Sequence, residues 1–168
     1  AIASLQSEVQ AQGVTVQNGY PGSSAGGGIL INSSATLDLD GVTVINNSVG
    51  AAGGGGIYNQ GTLNVANSAM MYNQAGMNGG GLWQWGGTST WLNSTFSGNT
   101  ASGHGGAIAA ESSGSVNLNN VSIVFNTADD NNNGDDGGGI YQSGATVSLQ
   151  NSIVAENSDL STEGYPNG

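Results

Sequence analysis

Gly56-Ile57-Tyr58-Asn59-Gln60-Gly61-Thr62-Leu63-Asn64-Val65-Ala66-Asn67-Ser68 holds in one stretch the pieces that recur along the whole chain. Leu63 and Val65 alternate with polar neighbours, the period-two pattern of a half-buried strand. Gly55-Gly56, just ahead of Ile57-Tyr58, supplies the backbone freedom for a sharp change of direction. The same Gly-Gly-apolar-apolar unit stands at Gly27-Gly28-Ile29-Leu30, Gly80-Gly81-Leu82-Trp83, Gly105-Gly106-Ala107-Ile108 and Gly138-Gly139-Ile140-Tyr141. A second unit, an apolar residue followed three positions later by Asn, runs in step: Val44/Asn47, Met70/Asn73, Phe96/Asn99, Ile123/Asn126 and Val154/Asn157. The alternating pair recurs as Leu37/Leu39, Val116/Leu118 and Val147/Leu149, with Ser89/Trp91 as the irregular member.

Three motifs in phase, with no room between them for a helix, predict an all-β, right-handed parallel β-helix of five to six coils of about 25–31 residues. A single coil cannot bury its inward face; stacked at about 4.8 Å, each strand pairs with the coils on either side. The expected interior columns are Val16, Val44, Met70, Phe96, Ile123 and Val154, and Ile29, Ile57, Leu82, Ala107 and Ile140. Asn47, Asn73, Asn99, Asn126 and Asn157 either stack into an asparagine ladder or face solvent as separate turn residues. Residues 1–12, with Ile2, Leu5 and Val9 at helical spacing, predict a short capping helix; residues 13–158 form the β-helix and residues 159–168 a tail, all in one domain.

The 168 residues carry no Lys, Arg or Cys; eleven Asp and Glu set the net charge at −11, and 31 positions are Gly. Without a cationic side chain there is nothing to meet a nucleic-acid phosphate or an anionic membrane. The acidic groups have only solvent cations or a bound metal to neutralise them, so divalent ions become plausible ligands.

Phe96-Ser97-Gly98-Asn99 followed by Gly105-Gly106-Ala107-Ile108 resembles the repeats of chlamydial polymorphic outer-membrane proteins. The fuller stretches 56–68 and Asn151–Ser158 are similar to right-handed β-helix repeats of large bacterial surface and secreted proteins of the pectin-lyase-like class, autotransporter passengers among them. The resemblance covers about residues 13–158. It implies an extracellular or cell-surface location and a role as a passenger, an adhesin or a filament subunit; with no Lys or Arg for lyase chemistry, the chain reads as a non-enzymatic structural protein that associates with itself or neighbouring chains through its ends or faces.

Candidate sites follow from chemistry. Asp129-Asp130-Asn131-Asn132-Asn133-Gly134-Asp135-Asp136 contains the D-x-N-x-N-G spacing in which alternating oxygen side chains converge on calcium, with Asp129, Asn131, Asn133, Asp135 and Asp136 as ligands. Ile140 stands where an EF-hand has its closing Glu, and the plainer alternative is a solvated acidic loop. Tyr58, Trp83 and Tyr141, with Leu30 and Ile108 in the same column, form either an outward aromatic stripe for glycans or a partner chain, or packing beneath a loop. Trp85 and Trp91 widen that face or fill the third coil.

His104, in Gly103-His104-Gly105, resembles the Gly-His-Gly of polygalacturonases, but the aspartate and basic motifs of that family are missing around it. Asp38, Asp40 and Glu111 are the carboxylates a glycoside hydrolase would need, and outward Asp at alternating strand positions more often solvates a face. A carbohydrate-binding or carbohydrate-cleaving β-helix is thus the second functional reading. An ice-binding face lacks the regular T-x-T array it requires. The calcium reading predicts that millimolar Ca²⁺ raises the melting temperature and that Asp129→Ala with Asp135→Ala abolishes the rise, measured by thermal denaturation; an unchanged wild-type Tm at saturating Ca²⁺ contradicts it.

Overall fold

A computed structural model of the chain describes residues 3–128 and 137–160. Short strands joined by sharp turns wind into a parallel β-helix, and the described residues contain no helix. Corresponding strands of successive coils pair to give four sheets. The first contains Ala3–Leu5, Ile29–Ile31, Ile57–Asn59, Leu82–Gln84, Ile108–Glu111 and Ile140–Ser143. The second contains Glu8–Gln12, Thr36–Asp40, Thr62–Ala66, Thr88–Leu92, Ser115–Asn119 and Thr146–Gln150. The third contains Thr15–Gln17, Thr43–Ile45, Ala69–Met71, Thr95–Ser97, Ser122–Val124 and Ile153–Ala155. The fourth, of two-residue strands, begins in the second coil with Ser48–Val49 and ends with Ser158–Asp159. Six coils at about 4.8 Å make a stack roughly 24 Å from first strand to last.

The expected column Val16, Val44, Met70, Phe96, Ile123 and Val154 is the observed register of the third sheet. Its central members are wholly buried, whereas Val154 in the last coil is 47% exposed, and inward Leu149 of the same coil equally so. The second column differs by one residue from the expectation. Ile108, not Ala107, aligns with Ile29, Ile57, Leu82 and Ile140. The repeated unit is in fact a triplet, a left-handed Gly, a second Gly and a small residue, as in Gly54-Gly55-Gly56 before Ile57. In the fifth coil it reads Gly105-Gly106-Ala107, so counting from the visible Gly-Gly pair slips the register and would turn each side chain to the wrong face.

Among the described residues the expected N-terminal helix is absent. Ala3–Leu5 pairs with Ile29–Ile31, and Glu8–Gln12 pairs with Thr36–Asp40. Val9 and Ala11 alternate with exposed Glu8, Gln10 and Gln12, so the segment also carries a period-two pattern. The open edge of the second coil decides between the two periods, because a strand satisfies its unpaired backbone groups and a helix laid across it would not.

Ser89 and Trp91 keep register with Leu63 and Val65 in one neighbouring coil and Val116 and Leu118 in the other. Both are completely buried, and the Trp91 ring lies 4.6 Å from that of Phe96. The small Ser89 makes room for the large indole, although Ser89 Oγ and Trp91 Nε1 lack hydrogen-bond partners in this interior. Volume compensation of this kind predicts coupling. Ser89→Leu alone should cost about 1–3 kcal/mol by overpacking and Trp91→Leu about 2–4 kcal/mol by leaving a cavity. The double variant, which restores the neighbours' pattern, should lose at least about 1 kcal/mol less than the sum in urea unfolding; strict additivity contradicts it.

Candidate functional site

The inner asparagines form the ladder. The Asn47 main-chain N–H and side-chain amide both donate to Asn73 Oδ1, each at 3.0 Å. Asn73 donates in the same way to Asn99, Asn99 to Asn126, and Asn126 to Asn157. Each amide nitrogen also donates to the carbonyl of the interior column one coil back: Val16, Val44, Met70, Phe96 and Ile123 in turn. Asn47, Asn73, Asn99 and Asn126 are buried, so these bonds satisfy groups that water cannot reach. The left-handed residue of the turn is the one before each ladder asparagine: Asn46, Tyr72, Gly98, Phe125 and Glu156.

A second set of lateral bonds runs through Asn67-Ser68, Asn93-Ser94, Asn120-Val121 and Asn151-Ser152, which recur in step with the inner ladder. At the turn between the second and third sheets, Ser68 Oγ accepts from Val42 N–H, Ser94 Oγ from Ser68 N–H, and Ser152 Oγ from Val121 N–H. Outside them, Asn120 donates to Asn93 and Asn93 to Asn67, and Asn67 donates to Asp40. Asn64 donates to Asp38 and Gln12 to Asp40. Asp38 and Asp40 therefore project side by side from one strand, held by amides, along a groove of about 580 Å³ on the second sheet that Gln10, Asn64, Thr90 and Leu92 also line.

The outward column of the first sheet runs Leu30, Tyr58, Trp83, Ala109, Tyr141. Ile108 is interior and Ala109 takes its place, so Tyr58 and Trp83 are adjacent while Tyr141 stands two coils beyond Trp83. Trp83 packs against Gly53 so closely that a Cβ there has no room, and meets Tyr58 and Trp85 edge-on with ring centroids 5.1 and 5.2 Å away. Over small Ala109, Glu111 reaches to accept hydrogen bonds from Trp83 Nε1 and from Asn78 Nδ2. Asn78 Oδ1 accepts from the His104 main-chain N–H, and the imidazole stacks on Tyr141 at 4.0 Å and 10°. Trp85, 42% exposed, is the outer edge of this cluster. Burial first, and then the Glu111 charge, push the Tyr58 phenol above its ordinary value against the lowering effect of Gln60.

Glu111, His104 and Trp85 thus join Tyr58, Trp83 and Tyr141 in one outward assembly. Asp38 and Asp40 lie on the neighbouring sheet. The calcium ligands expected at Asp129, Asn131, Asn133, Asp135 and Asp136 lie outside the described residues, and among the described ones no three His, Asp or Glu converge as a metal site.

The molecule is a parallel β-helix built of ladder-linked repeats. A family model for the Chlamydia polymorphic membrane protein repeat matches residues 93–111, the segment from the left-handed Asn93 through Phe96, Asn99 and the glycine turn to Glu111, in agreement with the resemblance read from the sequence. No curated protein and no solved structure matches the chain.

Removing one rung predicts a large loss of stability. Asn99→Ala strands the Asn73 main-chain N–H and takes one hydrogen bond each from the Asn73 side-chain amide, the Met70 carbonyl and Asn126 Oδ1. At about 1–3 kcal/mol for the stranded donor and about 1 kcal/mol for each further bond lost, the cost should reach about 3 kcal/mol or more in urea unfolding. Asn157→Ala, in the more exposed last coil, should cost about half as much; equal and small effects contradict the ladder's role.

Proposed function

We propose that this chain is a non-enzymatic adhesive module of a cell-surface protein, and that it binds uncharged saccharides at the Trp85–Trp83–Glu111 cluster. Placement at the surface is supported by the polymorphic membrane protein repeat at residues 93–111. Saccharide binding is supported above all by the Glu111 carboxylate, pinned by Trp83 Nε1 and Asn78 Nδ2 beside the exposed Trp85. A fixed carboxylate accepts sugar hydroxyls without losing side-chain freedom, and an indole edge covers the apolar face of a pyranose. The absence of Lys and Arg favours neutral over acidic glycans.

The test is titration of the purified chain with uncharged hexasaccharides of β-linked glucose, galactose and N-acetylglucosamine, read by tryptophan fluorescence. Trp91 is buried in the interior and serves as a constant background. At least one sugar is expected to bind in the micromolar to millimolar range, with Trp85→Ala and Glu111→Gln each weakening it tenfold or more. Absence of binding up to 10 mM, or binding untouched by both substitutions, overturns the saccharide reading.

A further inference from the structure

We infer that the third sheet and its following turn form a self-association face, on which a second copy of the chain docks antiparallel about a two-fold axis. This rests on different residues from the saccharide cluster and stands independently of it.

The turn after the third sheet places one residue per coil in the left-handed region: Asn18, Asn46, Tyr72, Gly98, Phe125 and Glu156, with φ between 51° and 66°. Asn and Gly take that conformation at little cost, whereas aromatic side chains are disfavoured there. Tyr72 and Phe125 nevertheless occupy it, and their side chains are 60% and 63% exposed. The fold needs neither ring at these positions, as the same turn is made by Asn in the first two coils. Strain together with exposed apolar area, kept where a cheaper residue would fold, points to use of the surface.

The placement of Tyr72 is defined. A Cβ added to Gly98 would lie 2.6 Å from two carbons of the Tyr72 ring, so the ring covers that glycine. The adjacent outward column of the third sheet reads Gln17, Ile45, Met71, Ser97, Val124, Ala155, mostly apolar, and Ile153 on the next column is 60% exposed.

Charge selects the occupant. The outward positions of the third sheet carry no Asp or Glu, while Glu8, Asp38 and Asp40 lie on the second sheet, Glu111 on the first and Asp159 on the fourth. A chain of net charge −11 with no cation offers a second copy no attractive face, and among the described residues the third sheet is a broad surface whose outward positions bring no carboxylates together. Glu156, at the last coil, fixes the orientation. With the axes antiparallel and the two-fold through Gly98 of the fourth coil, third-coil Tyr72 meets fifth-coil Phe125 of the other copy. Glu156 then lies against Asn46 instead of another Glu156. Head-to-tail stacking is the poorer alternative, because the donors of Asn157 would face Gly19, which has no side-chain acceptor to continue the ladder.

Sedimentation velocity of the full chain across a range of concentrations tests this, at about 0.01 and 0.3 M salt. A monomer–dimer equilibrium is expected that tightens at the higher salt as the net charges are screened. Tyr72→Asn with Phe125→Asn should weaken the dimer at least tenfold while the monomer Tm stays level or rises, since Asn suits the turn. Leu92→Asn, on the second sheet, should leave the dimer unchanged. A strictly monomeric wild type at millimolar concentration, open-ended polymers, or a dimer indifferent to the double Asn variant each overturns the inference. A fall in monomer Tm on the double substitution does so too, because the rings would then be part of the fold's own packing.

Discussion

Every coil has to turn inward residues toward a narrow interior and then leave it again without stranding a backbone N–H, and from the second coil onward the amide of one asparagine per coil solves this. Its oxygen takes two donors from the preceding coil, and its nitrogen reaches that coil's interior carbonyl. The glycine triplet follows from the same rung. Gly56 faces Asn73 so closely that a Cβ would come within 3.2 Å of the amide carbon, and Gly28 and Asn47 are related in the same way. The first glycine of each triplet, such as Gly54 at φ 71°, makes the bend that brings the chain back to the first sheet. Asparagine and glycine motifs far apart in the chain are two sides of one contact.

That arrangement frees the outer surface from structural duty. Because lateral hydrogen bonds and the apolar columns hold the coils, no ion pair is needed, and a chain lacking Lys and Arg folds as an acidic rod with Asn-, Ser- and Thr-lined faces. Where side chains depart from that polar pattern, they do so locally. On the first sheet, small Ala109 stands between Trp83 and Tyr141 in the outward column, and the Glu111 carboxylate accepts from Trp83 and Asn78. At the turn after the third sheet, Tyr72 and Phe125 stand where the backbone favours Asn or Gly. The two departures lie on different faces, the first sheet and the turn after the third.

The fold was legible because its determinants repeat: the column through Met70 and Phe96 and the ladder through Asn73 and Asn99 are periodic in the sequence and in space alike. Register at Ala107 was not, since alanine replaces the third glycine there and hides the triplet that the other coils share. The first coil was misread because Ile2, Leu5 and Val9 fit a helix while Val9 and Ala11 fit a strand, and only the edge offered by Thr36–Asp40 separates them. Of the aromatic stripe, Tyr58, Trp83 and Tyr141 were visible by position. The participation of Glu111, Asn78 and His104 was not, because these come from a strand end and from loops of different coils with no shared spacing. The strain at Tyr72 and Phe125 belongs to backbone angles, which no residue pattern spells out.

The ladder makes a direct demand on hydrogen exchange. The main-chain amides of Asn47, Asn73, Asn99 and Asn126 donate to side-chain oxygens instead of to a strand, yet in this account they belong to the cooperative core. Exchange followed by NMR should show Asn73 and Asn99 protected to the same degree as the strand amides of Met70 and Phe96. Exchange of Asn73 and Asn99 at the rate of exposed turn amides, while those strands remain protected, would show that the asparagines do not hold the coils together.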